Sequence, residues 1–417
     1  MDERIRKRLW LHPTLVTMAA WIVCIWLYQM RLSNRLWLDL GDVAGVSAIV
    51  ILGMTLGLMA SCLPPVKIRR FYDIEDPDRR TERSAWFAFA ILTILFLLEV
   101  LYSGFIPILA KLRGQQISHF AFGIPSVHGF VLAGYLFFTS CGVLAFLKYR
   151  GWRYLLPAIS SVVIAVLIVN RKLLMVAVIQ SLVLVILMNQ RPLRATIITA
   201  SVIVFTVLTF GVVGDIRSGS VIDDSGGFTR DTIVQKIPGL DWAYLYLTTP
   251  IHNLTYASIH ADPENGAFPR RTFGPLIPSV LDGTDEDASD RYRTAAKTRH
   301  WLDSPMFNVS TAFINPLLDY GMYGVFFYAI LTSYVASSVF FLSEDWVGII
   351  VSVTLYATSV LTVFSDSFVN LNVIGQLLWV FVVYGLSRFR IGSPSYSLIY
   401  ESDEEEDLFD EETDEYD

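Results

Sequence analysis

At 417 residues, 53% of them hydrophobic and only 17% charged, with a mean hydropathy of +0.50, the chain is too apolar for a soluble domain of its size. The net charge of −7 comes largely from the tail Glu401 to Asp417, so it says little about partners, and no nucleic acid is expected. The three cysteines, Cys24, Cys62 and Cys141, lie in or beside separate apolar runs, which argues against a disulfide framework or a metal cluster.

The basic start MDERIRKR leads into an apolar segment with no small-residue cleavage site, and it reads as a first transmembrane helix rather than a signal peptide. A spanning helix needs about twenty mainly apolar residues. Ten stretches fit or nearly fit: Thr14 to Met30, Val43 to Leu63, Ser84 to Tyr102, Ile124 to Leu147, Tyr154 to Val169, Leu173 to Met188, Ala195 to Val213, Gly321 to Leu342, Val347 to Phe364 and Val373 to Leu386. The two beside Asn170 are short, which suits a tilted, broken or partly inserted helix.

Short loops carrying Lys and Arg favour the cytoplasmic side. The start with Arg4, Arg6, Lys7 and Arg8, the loops around Lys67 to Arg83 and Lys148 to Arg153, and the pairs Arg191 with Arg194 and Arg388 with Arg390 then face inward. Both termini are therefore expected in the cytoplasm. The predicted organisation is an all-α polytopic membrane protein: 1–214 holds helices 1 to 7, 215–308 an external loop or cap, 309–390 helices 8 to 10, and 391–417 a disordered acidic tail. Within the loop, Asp231 to His260 suits one or two helices at the membrane surface, with Trp242, Tyr244 and Tyr246 at headgroup level.

The external segment favours arginine over lysine, and a planar guanidinium matches phosphate oxygens two at a time without losing its proton. Arg217 in GDIRSG suits a ligand contact or a helix-end arginine reaching for the interface. Arg171 and Lys172, in a very short outer turn, suit a phosphate contact or simple anchoring. Arg270 and Arg271, in FPRRTFGP between prolines, read as a constrained binding loop. Asp319 in LLDYGMYG and Asp366 in FSDSFVN lie at the expected outer surface, as raised-pKa bases or as helix caps. His252 in TPIHNLTY is a base, an anion donor or a structural histidine, and His128 in FGIPSVHGF shares that ambiguity. The acids Asp282, Asp285, Glu286, Asp287 and Asp290 lack EF-hand spacing and read as a solvated loop. Inside the apolar runs Glu99 is the clearest ionisable residue, and the scarcity of others counts against an ion-coupled transporter.

The stretches SGFIPILAKLRGQ, FGIPSVHGFVLAGY, VNRKLLM, YLYLTTPIHNL and NVSTAFINPLLDYGMYGVFFY, in this order from about Ser103 to Phe327, resemble the oligosaccharide repeat unit polymerases of the O-antigen (Wzy) type. That resemblance implies ten or more spanning helices, an external loop rich in functional arginines and a GT-C-like fold. It implies a glycosyltransferase that joins polyprenyl-diphosphate-linked oligosaccharides at the external face of the cytoplasmic membrane. No metal or other cofactor is needed; the partners are those lipid-linked substrates, membrane lipids and a chain-length regulator protein. Arg217, Arg270, Arg271, Arg171 and Lys172 would hold the diphosphate, with Asp319, His252 or Asp366 as base. A ligase using the same donor, a lipid-linked glycan flippase or transporter, and an envelope scaffold are the rival readings.

Overall fold

The computed structural model describes residues 12–63, 79–115, 121–125, 127–188, 197, 201, 228, 240–276, 302–303, 309–343 and 345–388. Arg217, the expected span Ala195 to Val213 apart from two residues, the acid cluster and the acidic tail lie outside the described residues. Among the described residues the chain is helical, apart from one antiparallel bridge between Ser33 and Phe228. In order the helices are α1 (Pro13–Gln29), α2 (Leu40–Ser61), α3 (Arg79–Ser103), α4 (Pro107–Leu112), α5 (Val127–Tyr149), α6 (Leu156–Leu167), α7 (Arg171–Met188), α8 (Leu240–His260), α9 (Arg270–Phe273), α10 (Ile314–Leu342), α11 (Trp346–Val360), α12 (Leu371–Ile374) and α13 (Gln376–Arg388).

Five helical stretches are long and apolar enough to cross a bilayer: Leu40–Ser61, Arg79–Leu112, Val127–Tyr149, Ile314–Leu342 and Trp346–Val363. Four shorter apolar helices accompany them: Pro13–Gln29, Trp152–Leu167, Lys172–Met188 and Leu371–Ser387. Apolar helices of this length and number define a membrane-embedded helical protein.

Local chemistry sets several helix starts. Proline opens α1 and α4, where a missing N–H costs nothing. Asp345 caps α11 by accepting from Gly348 N at 2.7 Å, and Asn370 caps α12 by accepting from Asn372 N at 3.0 Å. The short pair predicted beside Asn170 is real: α6 stops at Leu167, Val169 turns back with φ +57°, and the Asn170 side chain accepts from Leu173 N at 3.0 Å to start α7.

The apolar side chains form two cores. One surrounds α5 and draws on α3, α6, α7, α11 and α13; the other joins α1, α2, α8 and α10. In α5 and α11, 72% of the most apolar stretch is buried, against 22% in the α3–α4 stretch, so α5 and α11 are the central posts and α3 is a lipid-facing wall. Some buried polar groups are paired within the bundle: the Trp379 indole N–H donates to Phe130 O at 2.9 Å, and Gln180 Nε2 to Gln376 Oε1 at 2.8 Å.

The contact between α2 and α10 is made by glycine. Gly53 and Gly57, one turn apart, lie directly on α10: a Cβ at Gly57 would stand 2.4 Å from Ile330 O, and one at Gly53 2.8 Å from Phe326 O. The Ser333 hydroxyl donates to Met54 O at 2.7 Å across that close approach.

The α10 element is broken near its start. Tyr320 (φ −139°, ψ 21°) and Gly321 (φ 61°, ψ −149°) leave helical geometry, and Gly321 sits where only glycine rests without strain. A break strips carbonyls of their helical partners, and here the freed Leu318 O and Asp319 O accept from Glu264 N and Asn265 N, both at 2.9 Å. The expectation of surface helices over Asp231 to His260 needs revision. From Leu240 the chain forms one helix, α8, whose middle from Thr248 to Thr255 is buried against α1, α2 and α10.

Candidate functional site

Asp319 is the last residue before the α10 break, and its carboxylate holds the arginine turn. Oδ1 accepts from Arg271 N at 3.1 Å, while Oδ2 accepts from Thr272 N at 2.8 Å and from the Thr272 hydroxyl at 2.6 Å. Asp319 and Thr272 are each only 2% exposed. With the Glu264 and Asn265 bonds, five hydrogen bonds pin the segment 264–272 to one rigid point. Both arginine side chains stand outward from it: the Arg271 guanidinium pairs with Glu264, Nε donating at 2.7 Å, and Arg270 is exposed with no carboxylate partner among the described residues. The constrained loop expected around Arg270 and Arg271 is thus built, and Asp319 serves as its anchor.

Asp366 occupies the loop between α11 and α12. Its Oδ2 accepts from the Tyr328 hydroxyl at 2.8 Å, and its Oδ1 from Phe368 N at 3.0 Å and Val369 N at 3.4 Å. Burial pushes its carboxyl up from 3.8 to about 6, against the opposing pull of those hydrogen bonds and of the Lys172 ammonium at the head of α7. Lys172 and Asp366, 194 positions apart, are thus close enough in the fold to feel each other's charge. Arg171 opens the same helix. Tyr328 lies nine residues after Asp319, beyond the Tyr320–Gly321 break, so Asp366 and the arginine turn are held by two different segments of α10.

His252 lies in a third cluster, on α8, and is 2% exposed. Its Nε2 stands 3.4 Å from Asp303 Oδ2, and its Nδ1 3.1 Å from the Tyr28 hydroxyl. A carboxylate accepts, so Asp303 favours the ring proton on Nε2, and Nδ1 then faces the Tyr28 hydroxyl, whose one proton is shared with Leu38 O at 3.3 Å. Burial pushes the imidazole pKa down, with Asp303 opposing. The Trp37 indole N–H donates to the same Asp303 oxygen at 3.2 Å.

The predicted residues whose side chains are described thus fall into three groups: Arg270, Arg271 and Asp319; Lys172 and Asp366; and His252, with Arg171 and Arg217 outside them. Sequence reading missed Tyr328, Thr272, Asp303 and Trp37, each joined to its partner across 38 to 266 positions, beyond any local spacing signal. A fourth feature had been noticed without a partner. Glu99, with no exposed surface, accepts from His128 Nδ1 at 3.0 Å and from Ile124 N at 3.4 Å.

Chemically, outward guanidiniums on a fixed turn suit an anion with several oxygens, and a carboxyl near 6 can exchange a proton near neutral pH. Among the described residues no group of His, Cys, Asp and Glu is placed to hold a metal ion. No protein-family model, curated protein or solved structure matches the chain.

Proposed function

We propose that the protein is a membrane glycosyltransferase that polymerises polyprenyl-diphosphate-linked oligosaccharide repeat units at the external face of the cytoplasmic membrane, with ten spans in a GT-C-like arrangement and both termini inside. One observation carries the reading: two adjacent arginines on a turn that a buried carboxylate locks onto the break of a membrane helix. A lipid diphosphate presents its charge at bilayer level and its sugars beyond, and a cationic turn fixed to the end of a membrane-helix segment suits that layout. Lys172 and Asp366 interact electrostatically, and Arg270 and Arg271 stand exposed on the fixed turn.

In this reading the guanidiniums and Lys172 stabilise the departing diphosphate, whose charge grows as the glycosidic bond breaks, more strongly in the transition state than before it. Asp366 takes the proton of the attacking hydroxyl, its carboxyl lying near the working pH. Asp319 and His252 act as positioning residues, the first for the arginine turn and the second for Asp303.

The purified protein, supplied with lipid-linked repeat units alone, is expected to make a ladder of lengthening glycans. A ligase makes no ladder from that mixture, and a flippase moves the substrate without joining it. Changing Arg270 and Arg271 together to alanine is expected to lower kcat by at least about 100-fold, the scale set by removing preorganised charge from a transition state. Ladders of undiminished rate from that double variant would remove the site.

A further inference from the structure

We propose that Trp37, Asp303 and the aromatic row on α8 form a pyranose-binding platform, the subsite that seats a sugar of the lipid-linked glycan beside the arginine turn. It rests on the glycosyltransferase reading above for the identity of its ligand.

A pyranose has an apolar face of C–H bonds and a rim of hydroxyl donors. Its complement is a fixed, exposed aromatic face with an acceptor at its edge. Trp37, on the connection between α1 and α2, is 53% exposed. A tryptophan that only anchors a protein at the membrane interface leaves its N–H to water and headgroups. Here the N–H is spent on Asp303 Oδ2 at 3.2 Å, and the ring is braced edge-on by His252 and Tyr256, at centroid distances of 6.1 and 6.2 Å. The indole is therefore held in one orientation while its surface stays open.

The acceptor is equally prepared. Asp303 is 22% exposed, and its Oδ2 is occupied by Trp37 and by His252 Nε2. Its Oδ1 accepts no hydrogen bond among the described residues, which leaves it for a ligand hydroxyl. His252 is buried and held from behind by Tyr28, so one of the two groups that orient the carboxylate is itself fixed in the interior. This gives the buried histidine a task that its burial would deny it as a base.

Position links the platform to the arginines. Tyr256 stacks on His260 one turn further along α8, with ring centroids 4.1 Å apart. Immediately beyond His260 the chain reaches Glu264, which is bonded to the α10 break, and then the arginine turn. A sugar on Trp37 thus lies on the same connected element as the groups proposed for its diphosphate.

The test compares wild type, W37A, W37F and D303N, each as the full chain in lipid nanodiscs, using lipid-linked repeat units as substrate and sugar-free polyprenyl diphosphate as a binding probe. W37A is expected to raise KM by about tenfold, the scale of one lost stacking face, with kcat retained. W37F, which keeps a flat face, recovers most of that affinity, and D303N raises KM as well. The sugar-free probe binds W37A and wild type equally. An unchanged KM in W37A, or equal weakening of both ligands, overturns the platform. Failure of the polymerase reading looks different: wild type then makes no ladder, and the platform is judged by the Trp37 dependence of glycan binding alone.

Discussion

Replacing Asp319 with alanine removes three hydrogen bonds from a carboxylate that is 2% exposed, and the consequence is confined to a few residues. Bonds to a charged acceptor contribute about 1.5–3 kcal/mol each, and a buried donor left without a partner costs its desolvation. Arg271 is exposed, so its N–H regains water; Thr272 is buried and its two donors do not. The net loss is about 3–4 kcal/mol, which at 1.4 kcal/mol per tenfold corresponds to two to three powers of ten in local opening. Hydrogen exchange reads this directly. The amides of Arg271 and Thr272 should exchange about 100- to 1000-fold faster in D319A, while those of Glu264 and Asn265, which donate to backbone carbonyls, keep most of their protection. D319N, which retains one acceptor oxygen, should fall between. Unchanged exchange at Arg271 and Thr272 in D319A would refute the claim that this carboxylate holds the turn.

Other outcomes follow from the same structure. Gly57→Leu should prevent α2 from closing on α10, because even a Cβ meets Ile330 O at 2.4 Å; the melting temperature in detergent should collapse, and Gly57→Ala should cost about 1–3 kcal/mol. Gly321→Ala has room, the nearest atom standing 3.6 Å away at Pro263, so its cost of about 1–3 kcal/mol is backbone strain at φ 61° and should appear as a lower melting temperature. Polymerisation should fall tenfold per pH unit below about 6 as Asp366 takes up a proton, and D366N should lose both the activity and that profile. The linked stability has the opposite sense. The folded protein holds this proton more tightly than the unfolded chain, so the group destabilises the fold as pH rises from about 4 to about 6, a slope that D366N removes.

Much of the helical layout was legible because lipid enforces length and apolarity on every span. Among the described residues, nine of the ten expected apolar stretches are helices. The α10 break was not legible: LLDYGMYG reads as a helix start, and only the coordinates place Asp319 at the end of one segment with Gly321 turning into the next. The burial of α8 was not legible because Trp242, Tyr244 and Tyr246 read equally well as headgroup-level anchors of a surface helix. In the bundle, Thr248 and Thr255 instead bond back to carbonyls four residues earlier, and Asn253 donates to Val309 O. Arg270 and Arg271 stood out through their flanking prolines, a local signal. Asp303 had none, because its meaning comes from Trp37 and His252, which the fold alone brings to it.

The bond between Glu99 and His128 constrains how the chain is made. A carboxylate at the centre of an isolated helix opposes insertion by about 3 kcal/mol, and less toward its end; Glu99 lies four residues before the end of α3, and its partner is an imidazole that the ribosome delivers only with α5. The two segments are therefore expected to leave the translocon as a pair, the first waiting at its lateral gate until the second arrives with its hydrogen-bond partner.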